Sequence, residues 1–346
     1  MRAIVKASPA PGAEIREVPV PAVGAGEVLL RVRRAGVCGT DLHIWSWDRW
    51  SQGRMKPPVT IGHEFVGEVV ELGGGVTSVA LGDLVSCESH VVCHTCLPCR
   101  TGNSHVCENT RILGVDMNGG FAEYVAVPAV NTWRVPRNIP LEMAAVMEPC
   151  GNAVHTAFAG PLSGCNIAVT GCGPIGLFGI GVARAAGAAH VFASDVSPYR
   201  LELARQMKAD AVIDVSRESF PERISQLTDG RGLDGVLEMS GHPGAVRDGL
   251  AALRMGGRLS MLGLPTEPYD LDWNRLVIFK GVTVHGIIGR RMYDTWYQMD
   301  QLMTSGRLDV RPAITHVMPM EQFGDAIALL REGRAGKVVL VPWGES

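Results

Sequence analysis

Four of the nine cysteines in this 346-residue chain, Cys93, Cys96, Cys99 and Cys107, form a C-x2-C-x2-C-x7-C run. Four soft thiolates so close together let a short looping segment wrap one tetrahedral ion. A four-iron run of the bacterial ferredoxin type ends C-x3-C-P, whereas here seven residues separate Cys99 from Cys107 and Glu108 follows, so the spacing predicts zinc. Four protein thiolates complete a tetrahedral shell and leave no open position, which makes the role structural. His90, His94 and His105 lie nearby and read as solvated bystanders.

A second donor group is dispersed. Cys38-Gly39-Thr40-Asp41-Leu42-His43 and Gly62-His63-Glu64 offer a thiolate, an imidazole and carboxylates at strand-to-loop junctions. A catalytic zinc needs an incomplete protein shell, so that water or a substrate oxygen can take the remaining place. Cys38, His63 and Glu64 suit such a shell, with Glu148 as a fourth ligand or an acid beside it. Taken singly, His63 reads as a satisfied core histidine, Cys38 as a small buried hydrophobe and Glu64 as a surface charge.

Gly171-Cys172-Gly173-Pro174-Ile175-Gly176 is a G-x-G-x-x-G directly after a predicted strand, Ile167 to Thr170, and at the mouth of a predicted helix, Ile175 to Ala186. The first glycine permits the tight turn, the second lets the backbone approach a pyrophosphate, and the third packs helix on strand. Asp195 ends the next predicted strand, nineteen residues past Gly176, where a carboxylate accepts hydrogen bonds from an adenosine ribose and repels a 2′-phosphate. The combination predicts NAD rather than NADP, with Arg200 packed over the adenosine. Beside a nicotinamide, the dispersed donors gain a purpose, because a Lewis acid that acidifies an alcohol assists hydride removal from carbon.

The elements that must position these groups fall into two styles. The first third reads as short strands, Glu27 to Val32, Phe65 to Leu72 and Phe121 to Val127 among them. After Glu148 come apolar runs separated by helical segments: Ile167 to Thr170, His190 to Ser194, Ala211 to Asp214, Gly235 to Met239, Arg258 to Leu262 and Val282 to Gly286. Six strands with intervening helices predict an α/β, doubly wound parallel sheet. A helix at Tyr293 to Thr304 and a strand at Lys337 to Pro342 close the chain, and the expected domains are residues 1–149 with 291–346, and residues 150–290. A net charge of −3 with dispersed signs gives no footprint for nucleic acid or an anionic membrane. The uncharged stretch Pro149 to Ala183 is too rich in Pro, Asn and Gly for a membrane helix. The N-terminal residues lack a signal-peptide core, so the expected location is cytoplasmic, where cysteines stay reduced.

The same residues resemble the zinc-containing medium-chain dehydrogenases, end to end. The resemblance rests on C-G-T-D-L-H-I from Cys38, W-D-R-W-S-Q from Trp47, G-H-E-F-V-G-E-V from Gly62, the four-cysteine lobe and G-N-A-V-H-T-A from Gly151. It continues in the glycine motif, L-E-M-S-G from Leu237 and I-F-K-G from Ile278. It implies a GroES-like β-barrel catalytic domain beside a Rossmann domain, a homotetramer, and two zinc ions per subunit. The W-D-x-W-S-Q stretch points to the branch that oxidises L-threonine at its β-hydroxyl with NAD⁺, giving L-2-amino-3-oxobutanoate. The alternative is a polyol or secondary-alcohol dehydrogenase of the same family. By resemblance Thr40 and His43 form a proton relay and Glu148 serves proton transfer and zinc. Ile175, Asp195, Arg200, Leu262, Gly263, Leu264, Gly286 and Ile287 contact the cofactor. Coupling to a glycine-forming acyltransferase is a further implication.

Other residues carry weaker expectations. Asp48 is a candidate for the substrate ammonium, and Arg49, Arg290 and Arg291 for its carboxylate. Trp45, Trp47 and Trp50 read as packing or as pocket walls, the Arg31, Arg33 and Arg34 run as a solvated strand face, and Cys172 as a thiol whose modification would hinder the dinucleotide. A zinc-stabilised, NAD-binding scaffold without alcohol chemistry is the reading from a different functional class; it requires one zinc per chain and no NADH formation.

Overall fold

The computed structural model describes residues 1–344, and the chain divides into two compact units: Met1–Pro149 with the stretch from Ile314 onward, and Cys150–Ala313.

The hub of the first unit is the strand Glu27–Val37. Val28, Leu30 and Val32 are buried and Arg31 and Arg33 are half-exposed as the sequence predicts, but Leu29 is buried too, and the strand continues five residues past Val32 because Arg34 to Val37 are covered on both faces. It pairs antiparallel with Glu64–Leu72, Tyr124–Pro128 and Lys337–Val341. Register shifts at Leu29/Leu30 and Val32/Arg34 interrupt its ladder to Glu64–Leu72, and such irregularities bend a strand. Lys337–Val341 pairs in parallel with Ile314–Pro319, so the end of the chain contributes two strands to this seven-stranded sheet. Val28, Leu30, Phe65, Val69, Phe121, Val125, Val338 and Leu340 fill its core. The arginine run is not simply a solvated face. Arg31 and Arg33 both reach Glu68, at 2.9 and 3.0 Å, while Arg34 is buried and pairs with Glu142.

In the second unit all six expected strands form. Their order is Ala211–Asp214, His190–Asp195, Asn166–Thr170, Leu233–Glu238, Leu253–Met261 and Thr283–Gly286, every neighbouring pair parallel. Helices Pro174–Ala185, Pro198–Gln206 and Pro243–Ala252 each start on a proline, whose fixed φ suits a first helical position and whose missing N–H costs nothing there. The strand order reverses between Asn166–Thr170 and Leu233–Glu238, which opens a crevice at their carboxyl ends.

The return to the first unit begins at Ile314 and not at 291. The helix Asp294–Thr304 buries Trp296, Met299 and Met303. Beyond it Leu308 and Val310 are also buried, and a Cβ on Gly181 of Pro174–Ala185 would stand 3.0 Å from Leu308 Cδ1. This apolar stripe ties residues 291–313 to the second unit, a packing that helical periodicity alone does not assign to either partner. Truncating Leu308, which is 1% exposed, leaves a cavity. Leu308→Ala is expected to destabilise the protein by about 2–5 kcal/mol, read as a lowered urea midpoint, and a loss under about 0.5 kcal/mol would contradict this packing.

Candidate active site

The dispersed donors of the first unit converge. Cys38 is the N-cap of the helix Gly39–Ser46, and its backbone N–H donates to Asp41 Oδ2 at 2.9 Å, which fixes the turn that presents the thiol. Thr40 lies one step into the helix with Oγ1 3.7 Å from Cys38 Sγ. His63 follows Gly62, whose φ of +93° few other residues adopt, and a Cβ there would overlap the Phe121 ring. Glu64 opens the strand Glu64–Leu72. One donor atom from each of Cys38, His63 and Glu64 lies within 4.8 Å of the others. Cys38 is half-buried, His63 and Glu64 are buried, and among the described residues the group holds no fourth chain donor.

Glu148, on the helix Met147–Ala157, is not in that group of three. It is 4% exposed and accepts a hydrogen bond from Ser89 Oγ at 2.5 Å. Its charge is nevertheless felt at His63. Burial alone would lower the His63 pKa, but the Cys38 thiolate, with Asp41 and Glu148 behind it, overturns that and pushes it up to about 10. Burial raises the Asp41 carboxyl to about 6, against the opposing pull of His63. His63 Nδ1 and Asp41 Oδ1 are buried without hydrogen-bond partners. A half-buried sulfur and buried carboxylates around an imidazole form a site suited to a cation, and sulfur, nitrogen and oxygen donors together suit zinc.

His43 lies one helical turn beyond Thr40, on the same side of Gly39–Ser46. It is exposed, and its Nδ1 meets Asp48 Oδ2 at 2.5 Å. Asp48 also caps the helix Arg49–Arg54, its Oδ1 accepting from Ser51 N at 3.0 Å. Although burial opposes it, these bonds from Ser51 and His43 hold the Asp48 carboxyl below its ordinary range. Asp48 thus orients a histidine, which spacing alone does not reveal. Arg49 is exposed, whereas Arg290 is 1% exposed inside the second unit and donates to Asn152 Oδ1. Trp45 packs edge-on against Phe323 and Trp47 lies under the buried Lys6 ammonium at 4.8 Å, leaving Trp50 the exposed member of the three.

The structure brings to the site a residue that the sequence reading places only at the start of a strand. Lys337, from the terminal strand, is buried against Glu64 Oε2 and donates to Val37 O at 2.8 Å. A lysine opening an otherwise apolar strand is the only local signal of it.

The four sulfurs of Cys93, Cys96, Cys99 and Cys107 also lie within 4.8 Å of one another, as a separate group. Backbone N–H groups of Cys93 and Asn109 donate to Cys107 Sγ, and that of Cys96 to Cys93 Sγ. Such bonds stabilise thiolates. Hydrogen bonds from Thr95, then Cys96 and Asn109, pull Cys93 down to about 5. His90, His94 and His105 are not members of this donor group.

In the second unit Gly171, Gly173, Asp195 and Arg200 line one cavity of about 400 Å³. Gly171 has a φ of +90°, and a Cβ there would stand 2.8 Å from Ser240, so the turn after Leu233–Glu238 closes on the glycine turn. At Gly173 a Cβ would meet only open space, the approach a pyrophosphate needs. Asp195 ends its strand and accepts from Cys172 N at 2.7 Å and Ser197 N at 2.9 Å, tying the glycine turn to the next strand. Arg200 stands 3.9 Å from that carboxylate. Ile175 and Gly176 form the first turn of the helix Pro174–Ala185. Leu262, Gly263 and Leu264 follow the end of Leu253–Met261, and Gly286 and Ile287 stand at the end of Thr283–Gly286, along the same carboxyl edge of the sheet but not among the cavity's walls. Ser240, His242 and Asp248 line the cavity and were not anticipated as lining residues; the first two belong to the strand-to-helix turn E-M-S-G-H-P, and Asp248 to the helix Pro243–Ala252 that follows it. Cys172 is fully buried, which pushes its thiol well above the ordinary range, so it is not the accessible, modifiable group its place in the motif suggests.

Comparison with known proteins follows the same division. The alcohol dehydrogenase GroES-like domain matches residues 24–137, and the zinc-binding dehydrogenase domain matches residues 174–305. The L-threonine 3-dehydrogenase of Bacillus licheniformis is 50% identical over 342 residues, covering 99% of each chain. That of Symbiobacterium thermophilum is 51% identical over 343 residues, covering 99% of this chain and 98% of its own. Among solved structures, the alcohol dehydrogenase of Thermus sp. ATN1 superposes with a TM-score of 0.89 at 31% identity, covering 99% of this chain and all of its own. An alcohol dehydrogenase from E. coli CFT073 complexed with NADH superposes with a TM-score of 0.90 at 28% identity, covering 99% of both chains. With half its residues shared along nearly its whole length, the chain belongs to the L-threonine 3-dehydrogenase family of zinc-binding dehydrogenases.

Proposed function

We propose that the protein oxidises L-threonine at its β-hydroxyl, with NAD⁺ as hydride acceptor, to L-2-amino-3-oxobutanoate, NADH and a proton. The observation that carries this reading is the 50% identity to L-threonine 3-dehydrogenases over 99% of the chain. Polyol and butanediol enzymes share the fold at lower identity, 29% for the 2R,3R-butanediol dehydrogenase of Bacillus subtilis. They supply the competing substrates for the test.

In this reading Cys38, His63 and Glu64 hold the catalytic zinc, and the four-cysteine lobe holds the structural one. Zinc at the first site supplies a Lewis acid that makes the hydroxyl easier to deprotonate, and NAD⁺ in the second unit accepts the hydride. Thr40, beside Cys38 Sγ, takes the hydroxyl proton and passes it to His43 one turn away. Histidine suits this task because its unperturbed pKa lies near working pH. Asp48 holds Nδ1 of that ring, so Nε2 faces the incoming proton. Glu148, anchored on Ser89, adds a carboxylate that favours proton movement. Asp195 binds the adenosine ribose and selects NAD, Arg200 packs over the adenosine, and the glycine turn with Ile175 cradles the pyrophosphate. Leu262 to Leu264 and Gly286 to Ile287 complete the contacts at the strand ends.

The reading extends to assembly and setting. The edge strand Thr283–Gly286 carries little cover, and Trp273, Ile278 and Phe279 near it are exposed, which supports a homo-oligomer, with a tetramer as the expected state. Five cysteines given over to zinc and four others unpaired suit a reducing, cytoplasmic setting. No helix among the described residues is long and apolar enough to cross a membrane. The oxo acid product is unstable, so an enzyme that consumes it, a glycine-forming acyltransferase, is the expected functional partner.

NADH formation followed at 340 nm should be faster with L-threonine than with D-threonine, L-serine, sorbitol or 2,3-butanediol by at least about tenfold in kcat/KM. Preference for the diol or sorbitol would replace the substrate while leaving zinc and NAD in place. Elemental analysis should find two zinc ions per chain, and one ion without turnover would favour a non-catalytic scaffold. His43→Ala should lower kcat by about 10²–10⁴-fold with NADH affinity unchanged, and a loss below threefold would remove His43 from the relay.

A further inference from the structure

Lys337 is a buried cation that the reaction above does not use. Its side chain is 2% exposed, Nζ donates to Val37 O at 2.8 Å, and the ammonium forms an ion pair with Glu64 Oε2. Lysine is almost never buried this completely unless a partner compensates it. Here the partner is one of the three donors of the Cys38, His63 and Glu64 group, itself 0% exposed. Gly36 makes the arrangement possible: a Cβ at that position would overlap the Glu64 carboxylate and stand 3.2 Å from Lys337 Cε.

A carboxylate shared between an ammonium and a metal gives up part of its charge to each, so it binds the metal less strongly than a carboxylate with no other partner. We propose that Lys337 is a positioning residue that keeps Glu64 a weak, displaceable ligand of the metal, so that the shell stays open for the substrate oxygen. The inference rests on the reading that Cys38, His63 and Glu64 hold the catalytic metal. Its consequence runs against ordinary damage. Without the ammonium, Glu64 has no counter-charge but the metal, so it binds fully, the metal is held more tightly, and the open position closes. A merely structural lysine would give the opposite pairing, in which metal and activity are lost together.

The test uses the full-length protein with Co²⁺ at this site and zinc in the four-thiolate lobe. Two readouts besides turnover are the visible d–d bands and the rate of cobalt release to dipicolinate. In Lys337→Met, release should slow by about tenfold or more, the bands should shift, and threonine turnover should fall. In a Glu64→Gln background, adding Lys337→Met should change release by less than about twofold, because the lysine acts through the carboxylate. Unchanged or faster release in Lys337→Met, with or without a change in the bands, overturns the proposal. If Lys337→Met does not fold, the Glu64→Gln pair decides. Equal release rates there support action through Glu64, and rates differing more than twofold overturn it. Wild-type protein that takes up metal only in the four-thiolate lobe would instead overturn the metal-site reading itself, a separate result.

Discussion

Charge balance in a water-poor pocket is the constraint on which the first unit depends. Cys38, Asp41, Glu64 and Glu148 lie around His63, and a set so rich in acidic groups is stable only when cations are brought to it. The chain supplies one, Lys337, and the zinc proposed for Cys38, His63 and Glu64 would supply the other. Each of the three carboxylates also has a fixed neighbour: the Cys38 amide for Asp41, Lys337 for Glu64 and Ser89 for Glu148. The strands around the pocket are arranged to deliver these neighbours, which is why Glu27–Val37 is buried on both faces in its second half.

The second unit meets its anion with backbone instead of charge. Gly173 leaves space, the helix Pro174–Ala185 points its N-terminus toward that space, and Asp195 braces the turn through the Cys172 amide before it meets any ligand. One carboxylate thereby shapes the turn and, in the proposed reading, also chooses between ribose forms.

What could be read from the sequence follows from how far apart the cooperating residues lie. The four-cysteine lobe and the glycine motif are contiguous, so spacing alone carries their geometry, and the six strands of the second unit announce themselves by apolar runs. Cys38, His63 and Glu64 come from two neighbouring stretches and needed the added argument from chemistry. Lys337 stands 300 positions from Val37, and no periodicity connects them. Asp48 was legible as a charge but not as the partner of His43, because a five-residue step across a helix end has no fixed geometry. The extent of residues 291–313 was missed for a similar reason: an amphipathic helix shows that it has a buried face and not which unit covers it.

The order of the units along the chain has a consequence for biosynthesis. Cys150–Ala313 is continuous, so its sheet can close as soon as the nascent chain has emerged to that point. The sheet of the first unit lacks two strands until the stretch from Ile314 to Val341 has emerged, and Lys337 lies in that stretch. The buried Glu64 therefore acquires its protein counter-ion only after the whole of the second unit has been synthesised, so the earlier-made unit is the later one to be completed.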